Sequence, residues 1–324
     1  MTSFPLSHPD RVDGGFRPLK AWRHFRRLIA DKEDTEQVFH IIESLRDKRF
    51  GKAAQAFFAT PEGQKQLAER PCLPAMLDDH DRLRQLPEGS VGRAYVDFME
   101  REGLTAQGLV DEFDKFRRGQ PRYDDMLELY GNRLRDTHDL FHILTGYGRD
   151  ALGEQCVLAF SYSQTPSWGT LFIAWAGARE IRKGFGRRYP IYGAVREGQR
   201  IGRTAQQIAH QDIGALLAEP LDAARQRLGI AEPTVYKQVH AMMRADGIDP
   251  YDLLGKKAAE AAAAPVPLAQ ALTRQPLSRS RAISACAAAG LRTLAPAMKK
   301  RKTSRSPAAQ SRTRFAHWSR AAAS

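Results

Sequence analysis

The chain has 324 residues, of which 42% are hydrophobic and 27% charged, and its formal net charge at pH 7 is +13. This length suits one large domain or two ordinary domains with a buried core. Three widely spaced cysteines, Cys72, Cys156 and Cys286, indicate neither a disulfide framework nor a cysteine-type zinc site. Every long apolar stretch is interrupted by polar residues, which argues against a membrane-spanning helix.

The positive charge is concentrated at the carboxyl end of the sequence. Residues 256–324 hold 14 of the 50 lysines and arginines and one of the 37 acidic residues, so residues 1–255 carry 36 charges of each sign. This Ala-, Ser- and Arg-rich composition predicts a disordered basic tail. A nucleic-acid-binding or membrane-binding arm is the alternative, but no aromatic-basic pattern accompanies the charge. We therefore favour a solvated tail and expect no nucleic-acid partner.

Residues 1–29 form a separate amino-terminal segment, within which residues 17–29 predict a basic amphipathic helix. Leu19, Trp22 and Phe25 recur at helical spacing, whereas most arginines and lysines lie elsewhere on the helix. Such a helix is of the kind that lies on an anionic membrane surface. The alternative, which we favour, is a terminal helix packed on the protein body.

Residues 30–255 predict a single multi-helix domain and hence an all-α fold. Apolar residues recur at helical spacing, and no run alternates as a half-buried strand would. The clearest predicted helices cover residues 91–102, closed by Gly103; about 105–118; about 123–144; two stretches after Glu154 that are separated near Thr165 and Pro166; and 191–228, interrupted near Asp212 to Gly214.

The sequence THDLFHILTGYGRDALGE, from Thr137 to Glu154, is the strongest candidate for a functional site. His138 and His142 are four residues apart and therefore share one face of a helix, which Asp139 borders. The three glycines that follow are expected to bend the backbone and return Glu154 to the same place.

Two imidazoles and two carboxylates form a ligand set for a divalent transition metal. Leu140, Phe141, Ile143 and Leu144 around these polar residues are apolar, so the helix is expected to be largely buried, and burying the polar groups without a partner is costly. The pattern is not HExxH, so the metalloprotease arrangement is not met. We predict His138, Asp139, His142 and Glu154 as metal ligands, with ordinary buried histidines as the alternative. Catalytic residues beyond this site are unknown from the sequence.

The motif HD-x2-H, followed by 11 residues and a glutamate, resembles the signature of the Coq-four family of ubiquinone (coenzyme Q) biosynthesis proteins. The similarity covers roughly residues 30–245 and stops before the tail. It rests on four segments: DKEDTEQVFHIIESL at 31–45, LPEGSVGRAYVDFMEREGL at 86–104, RLRDTHDLFHILTGYGRDALGE at 133–154 and AVREGQRIGRTAQQI at 194–208.

This resemblance implies an all-helical protein that binds a divalent metal, usually zinc, through His138, Asp139, His142 and Glu154. Iron and manganese remain alternatives, because two histidines with carboxylates also suit those metals. The resemblance further implies peripheral contact with a membrane, a polyprenylated quinone precursor as ligand, and other ubiquinone biosynthesis enzymes as partners. Homo-oligomer formation is left open.

Two functions follow from the resemblance. The first is a lyase-type enzyme that carries out metal-dependent oxidative decarboxylation, replacing the C1 carboxylate of a polyprenylated hydroxybenzoate with a hydroxyl. The second is a non-catalytic, lipid-binding scaffold for the biosynthetic complex. For either, Val157 to Ala178 offers a long apolar surface for isoprene units, unless this segment is ordinary core.

The implied location is the cytoplasmic face of the inner membrane in a bacterium, or the matrix side of the mitochondrial inner membrane in a eukaryote. Residues 1–15 lack the apolar core of a signal peptide and contain acids that are uncommon in a transit peptide. On this ground we expect a bacterial source.

Overall fold

The computed structural model describes residues 4–12, 14–31 and 34–252, and over these ranges the regular elements are helices, which confirms the predicted all-α class. The basic tail predicted at 256–324 lies outside the described residues. The helices are α1 (Pro18–Ala30), α2 (Glu36–Ser44), α3 (Lys48–Phe58), α4 (Pro61–Glu69), α5 (Leu73–Leu77), α6 (His80–Leu83), α7 (Val91–Glu102), α8 (Ala106–Phe116), α9 (Met126–Asp136), α10 (His138–Thr145), α11 (Ala151–Gln164), α12 (Trp168–Phe185), α13 (Ile191–Thr204), α14 (Ile213–Ala218), α15 (Leu221–Leu228) and α16 (Thr234–Ala245), with short 3-10 helices at Ile208–His210 and Pro250–Asp252.

Local capping signals explain several helix boundaries. Ser90 caps α7 by accepting a hydrogen bond from the backbone N–H of Arg93, and Gly103 ends the same helix in the left-handed conformation. The predicted helix 91–102 is therefore confirmed at both ends. The predicted separation near Thr165 and Pro166 is also confirmed, because α11 ends at Gln164 and α12 begins at Trp168.

The helix predicted from about 123 to 144 is instead two helices, α9 and α10, that meet at Thr137. The Thr137 hydroxyl donates a hydrogen bond to the carbonyl oxygen of Arg133, at 2.8 Å. A threonine that bonds back to the carbonyl four residues earlier tends to bend a helix, since it competes with the regular backbone bonds. The break places His138 and Asp139 in the first turn of a new helix.

Helix α11 lies at the centre of the main core, between α12 and α13. A Cβ atom built on Gly198 of α13 would lie 2.6 Å from the carbonyl oxygen of Cys156, and one on Gly202 would lie 2.5 Å from that of Phe160. Both distances are shorter than real side chains allow, so the backbones of α11 and α13 approach closely because these two positions are glycine.

Two smaller clusters flank the main core. The inner face of α1, with Ala21 and Phe25, packs against Ile41, Leu45 and Ile173 of α2 and α12. The second cluster joins α3 to α9 and contains Ala54, Phe57, Phe58 and Tyr130. The domain boundaries predicted after residues 29 and 255 remain predictions.

Part of the apolar segment Val157–Ala178 belongs to the packed interior, whereas Trp168 within it is exposed. Val157, Phe160, Ala174 and Ala178 each have 0% of their surface exposed. These four residues are therefore core rather than the lining of an open groove. None of the helices among the described residues has the length and apolar character needed to cross a bilayer.

We predict that Gly198→Ala lowers the free energy of unfolding by about 1–2 kcal/mol, because the added methyl group overpacks the contact between α11 and α13. Gly51→Ala in α3 is the matched control, since a Cβ there meets nothing within 4 Å. That variant should gain up to about 1 kcal/mol through helix propensity. Urea unfolding followed by circular dichroism tests both, and equal effects of the two substitutions would contradict the close contact.

Candidate metal centre

Three of the predicted ligands meet at the start of α10. Donor atoms of His138, Asp139 and His142 all lie within 4.8 Å of one another. The two imidazole rings are arranged edge to face, with centroids 5.3 Å apart. His142 is buried and the other two side chains are partly buried. His138, Asp139 and His142 therefore lie close together, as their spacing in the sequence predicts.

A backbone carbonyl and an aromatic ring hold His142 in place. Its Nδ1 is 3.0 Å from the carbonyl oxygen of Tyr147, and a carbonyl can only accept, so Nδ1 carries the proton. The Nε2 lone pair is then free for a metal, as in many histidine sites whose second nitrogen bonds to the protein. Phe98 of α7 stacks on the ring, with centroids 5.5 Å apart.

Glu154, in the first turn of α11, stands at the edge of this group. Its carboxylate lies 3.7 Å from Nε2 of His142 and 3.6 Å from Nε of Arg149. Glu154 is therefore next to His142 but outside the group of three whose donor atoms lie within 4.8 Å of one another, and its carboxylate also faces Arg149. Metal binding by the four residues remains a prediction.

The protonation states of the site suit cation binding. Burial lowers the pKa of both His138 and His142 below the ordinary value, so the imidazoles are neutral at pH 7, which is the form that binds metals. Removal from solvent raises the pKa of Glu154 to about 7. Two neutral imidazoles with a free lone pair at Nε2 of His142, beside two carboxyl groups, fit a divalent transition metal.

Gly146, Gly148 and Gly153, between His142 and Glu154, were all predicted to bend the chain, but they have different roles in the structure. Gly146 bends the chain, with φ of +75° at the end of α10. Gly148 and Gly153 are not among the residues with positive φ. They permit close packing instead, because a Cβ on Gly153 would lie 2.0 Å from the carbonyl oxygen of Gly148. Asp150 then caps α11 by accepting hydrogen bonds from the backbone of Leu152 and Gly153, both at 3.1 Å.

A set of side chains that the sequence did not predict lies behind this turn. The hydroxyl of Tyr236 donates to Asp150 and accepts from the backbone N–H of Gly148, the latter at 3.0 Å. Nε2 of His240 lies 3.1 Å from Oδ1 of Asp150. Tyr236 and His240 come from α16, 86 and 90 residues further along the chain than Asp150. No local pattern links positions so far apart.

Tyr95 was also missed. It is fully buried on α7, three residues before Phe98, and its hydroxyl has no hydrogen-bond partner among the described residues. Burial, followed by the negative charges of Asp139 and Asp78, raises the pKa of Tyr95. Such a hydroxyl near a predicted ligand is a candidate contact for a substrate. An aromatic residue at helical spacing looks like core in a sequence, which is why it escaped notice.

Known proteins match the central part of the chain. A ubiquinone biosynthesis protein COQ4, mitochondrial, from Podospora anserina is 27% identical over 67% of this chain and 66% of its own length. Its counterpart from Pyricularia oryzae is 31% identical over 50% of this chain and 48% of its own. The matched part thus spans 66% of the length of the first relative and 48% of that of the second. A crystal structure from Nostoc punctiforme, 20% identical over 67% of this chain and 100% of that one, superposes with a TM-score of 0.49, and we draw no argument from it.

The expected bacterial source is wrong. The curated relatives are fungal proteins whose names describe them as mitochondrial. The expectation rested on the composition of residues 1–15, and the absence of a leader-like pattern there does not identify a source.

The family model described as "Coenzyme Q (ubiquinone) biosynthesis protein Coq4" matches residues 28–234. This range includes the four predicted ligands and the helices that position them, and it confirms the resemblance drawn from the motif. The chain belongs to the Coq4 family of coenzyme Q (ubiquinone) biosynthesis proteins.

Proposed function

We propose that this protein carries out the metal-dependent oxidative decarboxylation of a polyprenylated hydroxybenzoate at ring carbon C1. The observation that supports the proposal most is the placement of the donor atoms. His138, Asp139 and His142 lie within 4.8 Å of one another, and Glu154 lies 3.7 Å from His142. A site of this composition is suited to a substrate that carries a carboxylate and a phenol.

The ion that we propose is zinc, with iron and manganese as alternatives, held by His138, Asp139, His142 and Glu154. When bound, it supplies Lewis-acid stabilisation of negative charge on the substrate oxygens. Replacing a carboxylate by a hydroxyl from water and releasing carbon dioxide removes two electrons and two protons, which dioxygen would accept in this proposal to give hydrogen peroxide. Zinc does not change its oxidation state, whereas two histidines and a carboxylate also match non-haem iron sites.

Two further side chains have roles in this proposal. Arg149, about 30% exposed beside Glu154, offers its guanidinium to the substrate carboxylate. Tyr95 donates its buried hydroxyl to a substrate oxygen, which gives that unpaired group a partner. Both assignments follow from where these groups lie relative to the predicted ligands.

We propose that α1 makes the contact with a membrane. From Gly14 to Ala30 the sequence contains five lysines and arginines and no acid. Its outward surface keeps large apolar side chains exposed, including Leu19 at 80% and Trp22 at 46%. Arg23 and Arg26 of the same helix are exposed as well. This combination suits the interface of an anionic bilayer.

The first test measures bound metal and C1 turnover on the same purified protein. We expect a stoichiometric ion in the intact chain, and loss of both metal and turnover in His138→Ala and Glu154→Ala, with helicity by circular dichroism retained. Arg203→Ala, an exposed residue of α13, is the control and should match the wild type. If the intact protein binds metal but shows no turnover under several oxygen and substrate conditions, the result would favour the non-catalytic scaffold. If it binds no metal, the proposal is wrong.

Tyr95→Phe separates function from stability. Removing a buried hydroxyl that has no partner relieves a desolvation cost of about 1–3 kcal/mol, so the melting temperature should stay equal or rise. Turnover should fall at least tenfold, while the metal content stays the same. Full turnover in Tyr95→Phe would show that the hydroxyl does not touch the substrate.

Vesicle binding tests the proposed role of α1. Replacing two arginines that face an anionic surface removes about 2 kcal/mol of attraction, so Arg23→Gln combined with Arg26→Gln should weaken binding to anionic vesicles by about thirtyfold. The control, Arg101→Gln combined with Arg203→Gln, removes the same charge from exposed positions on α7 and α13. Both variants keep the basic tail, and equal binding by the two would contradict a specific role for α1.

A further inference from the structure

We infer that Glu197, Tyr236, His240 and Asp150 act together as a positioning network for the candidate metal centre. The inference rests on the proposed metal site and adds residues that are not themselves ligands. The network runs from α13 through α16 to the turn before α11, and it fixes the backbone on both sides of the site.

Asp150 is the point where the network meets the site. Its side chain is 0% exposed. Oδ1 accepts from the backbone of Leu152 and Gly153 and lies 3.1 Å from Nε2 of His240. Oδ2 accepts from the hydroxyl of Tyr236. Because its oxygens are fully engaged, Asp150 is not free to bind a metal, and its role is to hold the first turn of α11, in which Glu154 lies.

Tyr236 also holds the other side of the site. Its hydroxyl accepts a hydrogen bond from the backbone N–H of Gly148 at 3.0 Å. Its ring packs edge to face on that of Tyr147, with centroids 5.2 Å apart. The carbonyl of Tyr147 is the group that bonds Nδ1 of His142. One phenol therefore positions Glu154 through Asp150 and His142 through Tyr147.

Glu197 fixes the position of α16. Its carboxylate accepts from the hydroxyl of Thr234 and the backbone N–H of Val235, both at 2.8 Å, and from that of Tyr236 at 3.3 Å. A carboxylate at a helix amino terminus is well placed, since it satisfies free N–H groups and complements the helix dipole. Glu197 precedes Gly198, whose backbone is in close contact with α11. Helix α13 therefore fixes the positions of α11 and α16 relative to each other.

A network of this kind should change metal affinity more than fold stability. The bonds that orient metal ligands typically contribute 10- to 100-fold to affinity. A merely structural hydrogen bond of the same type would contribute to stability alone. The chain supplies a matched comparison, because Tyr189 donates a hydrogen bond at 2.6 Å to Asp246, the residue that follows α16 at its other end.

The experiment titrates the full chain with Co²⁺ and with Zn²⁺, and records the visible absorption of the Co²⁺ form. We expect Tyr236→Phe to bind either ion 10- to 100-fold more weakly than the wild type, with a changed Co²⁺ spectrum. Tyr189→Phe should keep the wild-type affinity and spectrum, although both variants lose a tyrosine–aspartate hydrogen bond and some thermal stability.

A second pair of variants keeps the test valid if Tyr236→Phe folds poorly. Glu197→Gln retains oxygen and amide groups that can bond to Thr234 and the α16 backbone, so it should bind Co²⁺ nearly as the wild type does. Glu197→Ala removes those bonds and should bind at least tenfold more weakly. Wild-type protein that binds neither ion would overturn the metal centre and the network together. If the wild type binds metal, and Tyr236→Phe and Glu197→Ala bind it with the same affinity and Co²⁺ spectrum, only the network would be overturned.

Discussion

The close contact between α11 and α13 is the constraint on which the rest of the structure depends. With Gly198 and Gly202 facing the backbone of α11, the two helices are as near as main chains allow. Little adjustment is available in such a contact, because interiors are packed like crystals and interfaces of this kind do not deform continuously. The two helices then act as one rigid unit that carries Glu154 at one end and Glu197 alongside.

The turn before α11 and the start of α16 are attached to that unit by buried carboxylates. A buried carboxylate without partners is very costly, so Asp150 and Glu197 each collect several donors, including backbone N–H groups. Those donors belong to the starts of α11 and α16. The burial cost of two carboxylates thus determines where two helices begin, and the second of these helices supplies Tyr236 and His240.

Features set by neighbours in the chain could be predicted from the sequence, and features set by distant contacts could not. The bounds predicted for α7, including its end at Gly103, agree with the structure because turns and caps are local features. The pair His138 and His142 predicted a shared face, since helical spacing alone determines that. The break at Thr137 was not predicted, because it depends on the hydrogen bond from the Thr137 hydroxyl to a backbone carbonyl and not on the pattern of apolar residues. The core position of Val157–Ala178 was left undecided, because a segment that is apolar all round suits a packed interior and a lipid groove equally.

The electrostatics of the site are consistent with the proposed cation. Glu154 lies 3.6 Å from Arg149 and 3.7 Å from His142, and His138 also favours its ionised form, but burial outweighs these groups and raises the pKa of Glu154 to about 7. The carboxylate is therefore destabilised at neutral pH without an ion, while the two histidines are kept neutral by burial. A bound divalent cation would favour the ionised carboxylate of Glu154. It would also require the free lone pairs of the neutral imidazoles. Arg149, released from Glu154 by the same event, would then be available to an anionic substrate.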